Sequence, residues 1–274
     1  MKTYPIMRFV ISAAILCALS LGALGQNPDS IQTAASPDTL PDYTTWIGEQ
    51  IVFHVAFGII PAGKARLAVV DTATVNGQLC VRAVSSARSA KSFDLVFTVR
   101  DSIETWFDAD SLYSMKFRKK LREGRFRDEK IVDFDLEDSL AHWSDDGKQK
   151  PSVHVLPRVQ DVLSAGFKAR TIPMSVGDTV WIKTHDVKKT FDLMVIIHGR
   201  ETVETPAGKF DCFKTEPVSK TGGLFQKEKS AHVYVWVTAD ERRIPVQMQT
   251  RVSFGHITAA LESYTPPLSK SWKP

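Results

Sequence analysis

The sequence predicts a mainly β domain: an antiparallel meander forming a curved sheet, half-barrel or sandwich, with one short helix. Three observations predict it. Apolar residues recur at every second position along much of the chain, turn-forming pairs separate the runs, and a single segment carries helical spacing instead.

The runs come in order. Ile51, Phe53, Val55 and Phe57 share one strand face, and Ala65, Leu67 and Val69 share another. Tyr113, Met115 and Phe117 alternate with Ser114, Lys116 and Arg118; Val246, Met248, Val252 and Phe254 alternate with Gln247, Gln249, Arg251 and Ser253. Strict alternation gives a strand one buried and one polar face. Asn76-Gly77 and Asp146-Gly147 are hairpin signals, because both residues tolerate the positive φ of a tight reversal. Pro61-Ala62-Gly63 and Pro206-Ala207-Gly208 are expected to reverse the chain as well. In VQDVLSAGFKAR, Asp161 is placed to cap a helix over 161–170, with Leu163 and Phe167 four residues apart on one face.

The N-terminus reads as a secretory signal over residues 1–25. Lys2 and Arg8 precede the uncharged apolar run Phe9–Leu21, and Ala23 and Gly25 supply small residues for cleavage before Gln26. The run falls short of the roughly 20 residues a membrane span needs. No transmembrane span is expected after processing, and the protein is expected in the periplasm or otherwise exported. Residues 26–42 read as a flexible linker, 43–265 as a single β-rich domain and 266–274 as a loose tail.

Removing residues 1–25 lowers the formal net charge from +4 to +2. That balance gives no reason to invoke nucleic acid. Cys80 and Cys212 remain, both in apolar strand-like stretches. An oxidising compartment permits a disulfide between them, and two buried free thiols are the alternative.

The chemistry is sparse. The seven histidines form no HExxH pair or metal-spaced cluster, and the chain has no CxxC, GxSxG or phosphate loop. No catalytic constellation, metal set or cofactor motif is recognisable, so a noncatalytic role is expected. Asp133 and Asp135 share a strand face and read as solvated carboxylates. Residues 116–130 hold eight basic and three acidic residues around Gly124, either two solvated faces of a hairpin or a basic patch for anionic lipid headgroups. His232, Tyr234 and Trp236 share one face of a strand whose other face, Ala231, Val233, Val235 and Val237, is also apolar. Such a strand suits the centre of a sandwich or an aromatic-lined concave sheet that holds an apolar ligand.

Several strings together carry a family resemblance: GEQIVFHVAFGIIPAGKARL, the REG of residues 122–124, VQDVLSA, TPAGKFDCFKTEP and DERRIPVQMQTRVSFGHITAALESY. Their order and spacing resemble the bacterial exported domain-of-unknown-function family 3108 over about residues 46–265. One departure is Val162, where the family pattern has Pro after VQD. The resemblance implies a periplasmic β-rich fold and no established reaction, substrate or cofactor. The polar residues inside the matching strings are Arg122, Asp161, Arg242 and Arg243, which suit either structural ion pairing or an anionic group. The candidate binding set is therefore His232, Tyr234, Trp236, Arg122, Asp161 and Arg243. The leading functional expectation is a binder of lipid or another apolar or amphipathic ligand. The alternative is a structural or assembly factor that contacts another envelope protein. A hydrolase of envelope polymers has least behind it.

Overall fold

Burial alternates most cleanly in β4 (Arg100–Asp108), where Asp101, Ile103, Thr105 and Phe107 point inward and the residues between them do not. The same rule builds the rest of a computed structural model that describes residues 41–95, 97–219, 232–252 and 255–269. The expected signal segment, the linker up to residue 40 and the tail beyond residue 269 lie outside these residues.

The strands before β4 are β1 (Gln50–Phe57), β2 (Ile60–Val75) and β3 (Gln78–Ser89). After it come β5 (Ser114–Glu123), β6 (Phe126–Asp135), β7 (Leu140–Asp145), β8 (Lys148–Gln149), β9 (Val153–His154) and β10 (Gln160–Asp161). The remainder are β11 (Thr179–Asp186), β12 (Lys189–Thr205), β13 (Gly208–Ser219), β14 (Val233–Thr238), β15 (Pro245–Val252) and β16 (Gly255–Thr265). All belong to one sheet, ordered β10-β11-β12-β13-β14-β15-β16-β1-β2-β3-β4-β5-β6-β7-β8, with β9 also on β7. Neighbours in the sheet pair antiparallel, except that β10 runs parallel to β11. The last strand closes onto the first, Phe53 opposite Leu261 and Val55 opposite Ala259. The two ends of this order do not meet. The protein is thus mainly β, one large open curved sheet rather than a closed barrel.

The hairpin signals act as expected at Asn76-Gly77 and Asp146-Gly147, all four residues at positive φ. Pro61-Ala62-Gly63 behaves differently. It lies inside β2, and the chain reverses earlier, at Gly58 and Ile59. Gly63 is needed there for a close approach, since a Cβ would collide with the Arg88 carbonyl of β3.

Among the described residues two α-helices accompany the sheet: α1 (Lys91–Asp94) and α2 (Ser164–Thr171). The helix expected over 161–170 starts three residues later, and α1 has no counterpart in the sequence reading. Buried residues form three apolar clusters. One gathers Phe107, Leu112, Phe117, Phe134 and Phe167; a second gathers Ile51, Phe53, Val55, Ile257 and Leu261; a third gathers Ala165, Ile182, Leu193 and Ile197 beside α2. Among the described residues no helix is long and apolar enough to cross a membrane.

Candidate ligand cavity

Helix α2 is held by Asp161. One carboxylate oxygen accepts the Leu163 and Ser164 N–H groups at 2.7 and 2.9 Å, which pins the entry to the helix, although the N-cap position falls at Leu163 rather than at Asp161 as the sequence suggests. The other accepts hydroxyls from Ser114 of β5, at 2.6 Å, and Thr105 of β4. Burial pushes the Asp161 carboxyl above the ordinary aspartate value, against the pull of these hydrogen bonds. Asp161 is therefore a buried knot joining β4, β5 and α2, and no ion pair links it to Arg122 or Arg243.

The far end of α2 is tied by Arg170, which donates to Glu49 through both terminal nitrogens at 2.6 and 2.8 Å. Its Nε donates to the Arg242 carbonyl, and its guanidinium lies 5.0 Å over the Trp46 ring. The Tyr264 hydroxyl also donates to Glu49. Burial, with the neighbouring Glu49 charge, raises the Tyr264 phenol well above its ordinary value.

Between α2 and the sheet lies a cavity of about 160 Å³. Its lining includes Phe53 and Leu67 from one flank, Leu193, Val195 and Val235 from the other, and Ala165 from the helix. β2 and β12 are six strand steps apart, about 29 Å along the sheet. They share a cavity because the sheet curls around it. Arg243 also lines it. Its Nη1 donates to the Arg170 and Glu241 carbonyls, while its buried Nε has no partner among the described residues. Arg243 also sits at φ 46°, a strained left-handed conformation for a non-glycine residue.

The other sequence-selected residues lie elsewhere. His232, Tyr234 and Trp236 do share a face, but Val235 and Val237 of β14 line the cavity, so the aromatic face looks away. Trp236 donates to Glu201 and packs near Tyr234, with Lys214 Nζ 5.3 Å from its ring centroid. His232 and His198 both bond to Glu216 at 2.6 Å. Arg122 is on the β5–β6 hairpin; its backbone N–H bonds Asp101 and its side chain is exposed. Cys80 and Cys212 are buried free thiols, which corrects the disulfide option. Their strands, β3 and β13, stand six steps apart in the sheet. Burial raises their pKa values to about 11 and about 12, so both remain protonated. Sequence reasoning missed Glu49 and Arg170. The available signal was Arg170 three residues after Phe167, on the same helical face.

A family model described as a protein of unknown function, DUF3108, matches residues 52–262. The chain belongs to this family. No curated protein matches it. Among solved structures, it is similar to a β-barrel-like protein of the unknown-function family DUF1849 from Brucella abortus. The TM-score is 0.51 at 10% identity, over 82% of this chain and 99% of that one. That likeness shows the fold alone. A candidate exported protein with a YmcC-like fold from Bacteroides fragilis matches at TM-score 0.37 and 14% identity, over 83% and 100% of the two chains. A candidate lipoprotein from Parabacteroides distasonis matches at 0.35 and 13%, over 84% and 100%. Both scores are too low to bear on function.

Proposed function

We propose that this DUF3108 member is an exported, noncatalytic protein that binds a small amphipathic ligand, with the ligand's apolar part seated beneath α2. The observation that carries this reading is the apolar cavity, with Arg243 as a polar residue in its lining. Close packing normally leaves few voids larger than a water molecule. An apolar cavity of about 150 Å³ takes a benzene-sized guest, so one of about 160 Å³ suits a chain of roughly six carbons. A full lipid acyl chain needs α2 to move. Burying apolar surface contributes about 25 cal/mol per Å². Export rests on the N-terminal sequence alone.

The assembly-factor alternative draws less from the fold. Both ends of the sheet order, β8 and β10, are two-residue strands and present few backbone groups for strand addition.

The test is titration with 1-hexanol and hexanoate, read by methyl NMR of the methionines. Met174 and Met248 line the cavity, and Met115 does not. Saturable shifts confined to Met174 and Met248, lost in Ala165→Leu with its fold intact, are the expected result. Silence at both methyls with both compounds overturns the reading.

A further inference from the structure

One end of the sheet combines exposed aliphatic side chains with basic ones. Successive antiparallel strands bring the β1–β2, β3–β4 and β5–β6 connections to that same end. Contacts bind these connections together: the Ala90 N–H bonds the Ala62 carbonyl, and the Gly124 N–H bonds the Thr98 carbonyl. Ile59 at the β1–β2 tip is 98% exposed, its neighbour Ile60 55%, and Leu95 after α1 90%. Large aliphatic residues gain nothing from water at a hairpin tip, and several together mark an interaction surface.

The charges around them say what that surface meets. Lys91, Arg122, Arg125 and Arg127 are exposed, and among the described residues none of them is ion-paired with a carboxylate. Farther along β5 the basic residues are neutralised: Lys116 pairs with Asp133, and Arg118 and Lys120 pair with Glu129. The acids within the three connections are spent internally. Asp94 pairs with Arg100, and Glu123 is buried. The opposite end has the reverse sign, with exposed Asp110, Glu137 and Asp138 in the β4–β5 and β6–β7 connections. A molecule polarised in this way is turned by an anionic surface so that its aliphatic tips lead.

We propose that this end, with Ile59, Ile60 and Leu95 at its tips and Lys91, Arg122, Arg125 and Arg127 around them, docks on an anionic phospholipid bilayer. The aliphatic tips enter the headgroup boundary while the basic side chains face lipid phosphates. A protein partner would also cover apolar tips, but the unpaired positive rim and the acidic opposite end fit a surface of uniform negative charge. The cavity beneath α2 has none of these residues in its lining, so the two surfaces are independent.

The experiment places an environment-sensitive fluorophore on Ile59→Cys or, as control, on Leu79→Cys at the opposite end, both in a Cys17→Ser background. Cys80 and Cys212 are buried and do not compete for label. The probe reports its own position, so binding through the N-terminal apolar segment does not mimic the effect. Vesicles of phosphatidylcholine with phosphatidylglycerol are expected to blue-shift the label at 59 and leave the label at 79 unchanged. Neutral phosphatidylcholine vesicles, or 1 M salt with a Debye length of about 3 Å, are expected to abolish the shift. Each basic residue at an anionic surface contributes about fivefold in partitioning, so Arg122→Gln/Arg125→Gln/Arg127→Gln is expected to weaken binding roughly a hundredfold. No shift at 59, an equal shift at 79, or equal response to neutral vesicles overturns the proposal.

Discussion

The Arg170 guanidinium grips the Glu49 carboxylate with two parallel hydrogen bonds in a site where both side chains are less than a tenth exposed. The pair joins the last turn of α2 to the residue preceding β1. Taking one partner away leaves the other charge buried. Glu49→Gln and Arg170→Met are each expected to cost about 3–5 kcal/mol. The double variant Glu49→Gln/Arg170→Met is expected to cost less than the two singles summed. Urea unfolding of the four proteins measures this coupling, and strict additivity would show that the pair does not act as a unit.

Asp161 receives four hydrogen bonds in a site without solvent. Asp161→Ala leaves two hydroxyls and two backbone N–H groups without their acceptor. At about 1–3 kcal/mol for each buried orphan, with the hydroxyls free to rotate toward other partners, a net loss of about 3 kcal/mol or more is expected. Asp161→Asn retains one acceptor oxygen and is expected to lose less. The helix end should loosen first, so amide exchange at Leu163 and Ser164 should rise in Asp161→Ala before global unfolding. Unchanged exchange at those amides would mean that the cap contributes little.

Acid is expected to destabilise the domain in two stages. Burial depresses the His185 pKa below its ordinary value. The unfolded chain therefore takes a proton near pH 6.5 that the folded chain refuses, and stability falls as pH drops below about 6.5. The second stage comes from carboxylates. Asp71 is held below its ordinary value by Arg82, Glu129 by Lys120 and Arg118, and Asp211 by Arg200. Their contribution is present above the unfolded carboxylate range of about 4 and is lost as pH falls through the lower folded values. Asp161 acts in the opposite sense, because its folded value is raised. Urea unfolding free energies between pH 3 and 8 test the scheme. His185→Gln should flatten the upper stage and leave the lower one, and a variant whose slope between pH 5 and 6.5 is unchanged would assign that stage to another group.

The sequence by itself determined the clearly alternating strands, the Asn-Gly and Asp-Gly hairpins, the family and the place of Asp161 at the helix entry. These depend on residues close together in the chain, where a period of two, a positive φ or a short polar side chain acts locally. It also showed that β14 has two apolar faces. Only the tertiary structure decided which one lines the cavity, because alternation divides a strand into two sides without saying what each side packs against. The curl of the sheet put Val235 and Val237 on the cavity, while Trp236 on the other face is also buried, in the apolar cluster of Ile51 and Phe53. Gly63 looked like part of a turn, and its small size instead serves the neighbouring strand at Arg88. Glu49 and Arg170 are 121 positions apart. Their pairing follows from the order in which β16 joins β1 and from where α2 lands, which no local pattern encodes.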